Sequence, residues 1–498
     1  FKINDDHDFT ITGVTSWNHN RQEYTFSQAD SFTTNTYLYH NLGAGQNQQT
    51  KSSYTMSKGM GFVGRINYSY KGRYLASASV RHDGSSRLAD GNRWDTFPAF
   101  SLGWRISDES FMESTKGWLD NLKVRVGYGV TGTAGIDPYS SISTLAQSYY
   151  GLGGTKLTSY YFDQTVANVN LGWEKSKSTN IGLDASFLNG RIDFTMDYYF
   201  TKTDDVIWKK NLPITNGGFN ASNYYNTNMN ICKTENRGIE LALNTRNIVT
   251  KDFTWTSNLT FTHNKEKITK LATDDADFVT NGSDGLVLMK GEPVNSYYHY
   301  KLNGTWKTSE AADAAVFGAK PGDLKIDIPG LIHDGEGQYS KWVERTNEET
   351  GEVERVLEHY DANNLYTPSD NDYQVLGHKN PDWTMGFKNT FTYKNFDLSV
   401  YLYWRWGQTI KYDMLGSYDP TGKNNFPTYF DYWTTETGNQ NHYFPALNSG
   451  KDLSTYTGYY ALQYVDGSFF KVKNITLGYT LPKKVAKGLG IENFRVYT

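Results

Sequence analysis

The chain has 498 residues with acids and bases nearly balanced, for a formal net charge of −4. Its mean hydropathy of −0.64 is low for a bundle of membrane helices, and no run of about 18 apolar residues occurs, so no membrane-spanning helix is expected. The charge balance argues against a nucleic-acid binder, and a single cysteine, Cys232, allows neither an internal disulfide nor a cysteine-based zinc site.

Aromatic residues make up 15% of the chain, with 38 Tyr, 26 Phe and 13 Trp. In so polar a chain these rings need a dedicated place, and one such place is the membrane–water interface. Taken in chain order, strands are predicted near 8–18, 57–70, 73–84, 95–107, 119–131, 173–188, 190–204, 233–246, 252–264, 381–394, 396–410, 467–481 and from 491 onward. The basis is period-2 alternation, which gives a strand one greasy and one wet face. In "NGRIDFTMDYYF", Ile192, Phe194, Met196, Tyr198 and Phe200 alternate with Arg191, Asp193, Thr195 and Asp197. "FDLSVYLYWRW" places Leu398, Val400, Leu402 and Trp404 against Asp397, Ser399, Tyr401, Tyr403 and Arg405. No helical period of comparable length occurs, so the expected class is all-β and antiparallel.

The connections are lopsided. Lys71-Gly72, Asn189-Gly190 and Lys394-Asn395 each join two strands within a few residues, and Asn-Gly favours a type I′ hairpin. Long connections are expected at about 19–56, 132–172, 205–232, 265–380 and 411–466. Strands run alternately up and down, and with this assignment the turns at 71–72, 108–118, 189–190, 247–251, 394–395 and 482–490 all fall at one end. Counting Tyr297–Trp306 as a further spanning strand would break that parity, so it is assigned to a structured external insertion, 265–380. Tight turns sorted to one end and long loops to the other mark an outer-membrane β-barrel, with short periplasmic turns and long extracellular loops. The greasy faces, including Ile192, Phe194, Met196, Leu398, Val400 and Leu402, are then expected to meet lipid. Arg191, Asp193, Asp197 and Arg405 would line a lumen or bond to what fills it. The chain starts at Phe1 and stops at "FRVYT" in what reads as a strand, so an interior piece of a longer barrel, residues 1–498 throughout, is expected.

No HExxH, GxxxxGK[ST], GxSxG or helix-opening GxGxxG occurs, and no enzymatic activity is expected. "DANNLYTPSDND" (Asp361–Asp372) offers Asp361, Asn363 and Asp372 as candidate calcium ligands at positions 1, 3 and 12 of a loop. Leu365 and Tyr366, however, stand where a calcium loop wants an oxygen ligand and a glycine, so a polar external loop is the competing reading and no cofactor is assigned. The aromatic stretch "FPTYFDYWTTETGNQNHYFP" (Phe426–Pro445) suits sugar rings and peptides alike. Its Tyr429, Phe430, Tyr432, Trp433, Tyr443 and Phe444 are candidates for contact with a ligand or a partner, or for packing within the loop itself.

Six blocks resemble the SusC/RagA family of TonB-dependent outer-membrane transporters. They are "GFVGRINYSYKGRYLASASVRHDGSSRLADGNRWDTFPAFSLGWRISDESFM" (Gly61–Met112), "LKVRVGYGVTGT" (Leu122–Thr133), "GEPVNSYYHYKLNGTW" (Gly291–Trp306), "KPGDLK" (Lys320–Lys325), "LGHKNPDWTMGFKNTFTYKNFDLSVYLYWRWGQ" (Leu376–Gln408) and "DGSFFKVKNITLGYTLPKK" (Asp466–Lys484). The resemblance implies a plugged barrel of about 22 strands in the outer membrane of a Gram-negative bacterium. It also implies partnership with a SusD-like surface lipoprotein, energy from the TonB complex acting through a region absent here, and import of oligosaccharides or, in some members, peptides. After "PGD" the family usually continues into a compact calcium-like loop, and here a longer stretch, "IDIPGLIHDGEGQYSKWVERTNEETGEVERVLEHYD", replaces it. The alternative from the residues alone is a soluble or surface-attached extracellular β-protein that binds carbohydrate without transport. A propeller of that kind should repeat every 40–50 residues or so, and no such repeat is seen.

Overall fold

The computed structural model describes residues 2–162, 165–212, 225–271, 278–281, 285–346, 352–416, 429–447 and 461–498. Phe426–Thr428 of the aromatic stretch lie outside the described residues. The chain divides into two compact units, residues 1–276, 387–399 and 476–498, and residues 277–386 and 400–475.

Fourteen strands form one sheet in unbroken chain order. All thirteen predicted strands are present, and a three-residue strand, Lys2–Asn4, pairs ahead of them. Boundaries differ mainly at the long-connection end, where the strands run on. His7–Gln28 pairs with Gln49–Tyr70 over their full lengths, so nearly half of the expected 19–56 loop is paired strand. Ile192–Asn211, Asn226–Val249 and Phe253–Lys270 likewise continue past the predicted ends. The physical reason is that ladder hydrogen bonds satisfy the backbone whether or not the side chains alternate, so pairing outlasts the amphipathic pattern that reveals it.

Lys71 and Gly72 both have positive φ, as a type I′ turn requires. Asn189 and Gly190 are also left-handed, but together with Leu188 inside the connection from Phe187 to Ile192 rather than a two-residue hairpin. The sorting of connections is incomplete. The turn end includes a 13-residue connection that carries the short helical segments Ile106–Asp108 and Ser110–Thr115. At the other end Ser85 and Trp94 are joined by only eight residues.

The two faces of this sheet are chemically distinct. Tyr74, Trp104, Val124, Leu183, Met196, Leu241 and Phe261 stand opposite one another across seven consecutive strands. The adjoining row on the other face is Arg125, Gly182, Asp197, Glu240 and Thr262. Ile11 is 65% and Leu102 62% exposed, so no described part of the chain covers the apolar face there. At its turn end the rings pair: Tyr74 with Tyr70 and Trp104, Trp118 with Phe187, Trp255 with Phe391 and Phe396 with Tyr479. Trp255 Nε1 donates to Asn389 Oδ1 at 2.9 Å, leaving the ring apolar outward and its polar tip satisfied.

The second unit has its own small sheets. Phe278–Asn281, Leu286–Met289, Ser296–His299 and Gln374–His378 form one, Lys301–Thr305 pairs with Leu324–Asp327, and Leu331–Gly335, Gln338–Thr346 and Val353–Tyr360 form a third. The strand character of Tyr297–Trp306 thus belongs to these small sheets and not to the fourteen-stranded one. Leu324, Leu415, Phe444 and Leu462 make the buried core, with Leu302, Phe430, Tyr432, Tyr443 and Val465 packed on it.

Candidate functional site

The polar face of the sheet is ordered by glycines that yield space to long side chains. Arg125 reaches across Gly182 to hold Asp184 through Nε (2.8 Å) and Nη2 (3.0 Å), and Asp197 through Nη2 (3.1 Å). A Cβ on Gly182 would sit 2.5 Å from the guanidinium carbon. Gly238 does the same for Tyr199, whose hydroxyl donates to Asn264 Oδ1 at 3.0 Å. One guanidinium thus ties two carboxylates together across three neighbouring strands.

Of the polar residues expected to line the lumen, Asp197 is in that network. Asp193 accepts from Ser186 Oγ at 2.6 Å. Arg191 donates to the carbonyls of Arg246 and Asn247 at the turn end. Arg405 has a buried Nε without a hydrogen-bond partner. The Arg125 network was not singled out from the sequence, although a signal existed. Ile192 faces Phe187, so residue numbers across that hairpin sum to 379, which puts Asp197 opposite Gly182 and beside Asp184.

Farther along the same face lies a cavity of about 680 Å³, bordered among others by Ser16, Asn18, Ser57, Arg81, Asp83 and Trp173. Asp83 Oδ2 accepts from Arg81 Nε, while its Oδ1 is buried without a hydrogen-bond partner. The hydroxyl, amide and guanidinium groups of Ser16, Asn18, Ser57 and Arg81 along the border of this cavity offer donors and acceptors to a small polar ligand.

In the second unit the aromatic candidates separate. Tyr429 is 81% exposed. Phe430 stacks on Phe444 at 4.1 Å, and Phe444 is buried in the core. Tyr443 donates to the Leu462 carbonyl at 3.2 Å, and burial pushes its hydroxyl up to about 12. Trp433 lies over Gly322 and donates to the Gly438 carbonyl at 3.2 Å. Tyr432 is half-buried against the same core. His442 closes the loop between Asp431 Oδ1 (2.9 Å) and the Thr437 carbonyl (3.0 Å).

The candidate calcium ligands are committed elsewhere. Asp372 is fully buried, pairs with Lys341, and accepts from Tyr366 Oη (2.7 Å) and the Ser369 amide (2.9 Å). Burial, then that carboxylate, push the Tyr366 hydroxyl far above its ordinary range. Asp361 accepts from the amides of Asn363 and Asn364 in a local turn. Among the described residues no group of three or more His, Cys, Asp or Glu could hold a metal ion. Cys232 is a buried strand residue.

Residues 1–318 match the family model described as TonB dependent receptor-like, beta-barrel. TonB-dependent receptor P26 of Formosa agariphila is 31% identical over 504 residues, covering 100% of this chain and 47% of the relative. TonB-dependent receptor SusC of Bacteroides thetaiotaomicron is 31% identical over 442 residues, covering 86% and 39%. The solved structure of the RagAB peptide transporter superposes with a TM-score of 0.79 at 21% identity, over 100% of this chain and 49% of that one, and so shares the fold. The chain therefore spans about half the length of the relatives it matches, which are named as receptors and transporters. The soluble alternative falls with these matches. The chain belongs to the TonB-dependent receptor family and forms part of that family's β-barrel in the Gram-negative outer membrane.

Proposed function

We propose that these residues form part of the wall of a nutrient importer, taking up oligosaccharides or else peptides, energised by TonB and working with a SusD-like surface lipoprotein. The observation that carries this reading is the contrast between an uncovered apolar face and a polar face that holds a cavity bordered by Ser16, Asn18, Ser57 and Arg81. A wall of that kind suits lipid outside and a hydrated path for polar solutes inside. The relatives lend support, since one is named SusC and a solved structure of the same fold is titled a peptide transporter.

In this reading residues 265–380 are an extracellular insertion and Ile192, Phe194, Met196, Leu398, Val400 and Leu402 face lipid. Among the aromatic candidates Tyr429 is the most open to a ligand or to the lipoprotein, while Phe444 and Tyr443 hold the loop in shape. The test is uptake of labelled oligosaccharides and peptides by cells lacking the receptor, with the lipoprotein pulled down from native membranes. Loss of uptake of one class, restored by the intact receptor, is the expected result. Unchanged uptake of both classes sinks the importer, and failure of any surface lipoprotein to co-purify sinks the partnership.

A further inference from the structure

We propose that the apolar face carries a binding site for phosphate groups of outer-leaflet lipid, built by cations on the four strands from Glu174 to Lys270. Across these strands the residues on the apolar face form successive rows. From the turn end, one row is Ala185, Phe194, Leu243 and Leu259, the next Leu183, Met196, Leu241 and Phe261, and the next Ile181, Tyr198, Ile239 and His263. The chemistry then changes abruptly, to Thr179, Phe200, Arg237 and Lys265, and after that to Lys177, Lys202, Glu235 and Lys267.

The register sets like charges face to face. Lys177 is directly opposite Lys202, Arg237 opposite Lys265, and, past a bulge, Lys233 opposite Lys270. Directly opposed like charges destabilise a sheet. The carboxylates nearby offset part of this: Asp204 lies 2.8 Å from Lys177 and 3.2 Å from Lys233, and Glu235 lies 3.2 Å from Lys202 and 3.3 Å from Lys267. Asp205 also acts on Lys177 through space. Seven cations thus meet three carboxylates. Arg237, Lys265 and Lys270 are exposed and make no ion pair with a described residue.

Position supplies the second argument. From Ile192 at the turn end to Lys202 is ten residues of strand. At about 3.4 Å per residue and a tilt of about 40° this rises roughly 26 Å, close to the height of the apolar band of an outer-membrane barrel. The cations therefore sit at the far membrane–water boundary, where an outer leaflet of phosphorylated glycolipid places its headgroups. An arginine fork and several ammonium groups suit phosphate oxygens. The site is local to these strands: on Gln49–Tyr70, Tyr74–Ser85 and Trp94–Arg105 the loop-side end of this face holds the stacked rings of Phe62, His82 and Trp94.

The experiment compares the native receptor with R237Q/K265Q, both purified from outer membranes in detergent, using lipid A, dephosphorylated lipid A and inorganic phosphate as probes. Two surface cations removed should weaken retention of lipid A by about thirtyfold. Dephosphorylated lipid A should be held equally by both proteins. In lipid-free detergent the variant should melt no lower than the native receptor, because a repulsive pair has gone, which separates loss of the site from loss of the fold. Equal retention of lipid A by both overturns the proposal. So does stabilisation by inorganic phosphate alone as great as that by lipid A, which would make this a site for the free ion.

Discussion

Met196 and Phe444 are both large apolar side chains, and they are held in place by opposite means. Met196 is half-buried between Leu183 and Leu241, each on an adjacent strand of the sheet. Phe444 is 8% exposed and packs on Leu324, Leu415 and Leu462, which come from distant parts of the chain. The sheet is thus an assembly of neighbours joined by backbone ladders, with its greasy side turned outward. The second unit is an inside-out counterpart, a small conventional core that must be gathered before it can be buried. Damage to one should spare the other.

The largest separation is expected from Phe444→Ala. Emptying a buried phenylalanine site costs about 3–5 kcal/mol, enough to loosen the second unit while the sheet keeps its resistance to detergent. Limited proteolysis of the insertion, read beside heat-modifiable migration on gels, distinguishes the two. Replacing Asp372 by Ala should act on the same unit with about 3 kcal/mol, since it leaves the half-buried Lys341 and the Tyr366 hydroxyl without their carboxylate. If neither change raises protease sensitivity, the unit is not held by its core.

Met196→Arg probes the other side. An arginine at mid-band of a barrel costs about 2–4 kcal/mol, so the variant should unfold at lower denaturant concentration in vesicles, with the insertion unaffected. Spin labels at Met196, Leu398 or Leu402 that proved water-accessible would reverse the assignment of faces.

A pH effect is expected in the second unit. Burial pushes the His299 imidazole down to about 4. The unfolded chain takes up a proton near pH 6.5 that the folded unit refuses until about pH 4. Stability is therefore whole above pH 6.5 and falls as pH drops through that window. Because the ring is partly open to solvent, the loss should be about 1–2 kcal/mol. Thermal melts of native receptor and His299→Gln between about pH 7 and pH 4 measure it, and parallel curves would refute it. The smallest expected effect is that of Tyr429→Ala, within about 0.5 kcal/mol on stability. Any loss of uptake in that variant then reports a lost contact and not a lost fold.

The amino-acid sequence by itself determined the class, the strand order and the apolar and polar faces of the sheet, including Ile192, Phe194 and Met196 against Asp193 and Asp197. It could do so because a strand's alternation and its hairpin register are local properties, set by residues adjacent in the chain or just across a turn. That Asp372 is a buried partner of Lys341, that Phe444 is core while Tyr429 is open, and that Asp83 pairs with Arg81 through one oxygen only were decided by the tertiary structure. Those outcomes depend on which distant segments meet, and composition carries no record of that. The opposed cations Arg237 and Lys265 stand between the two cases, for each is visible in the sequence but only the register shows that they face each other.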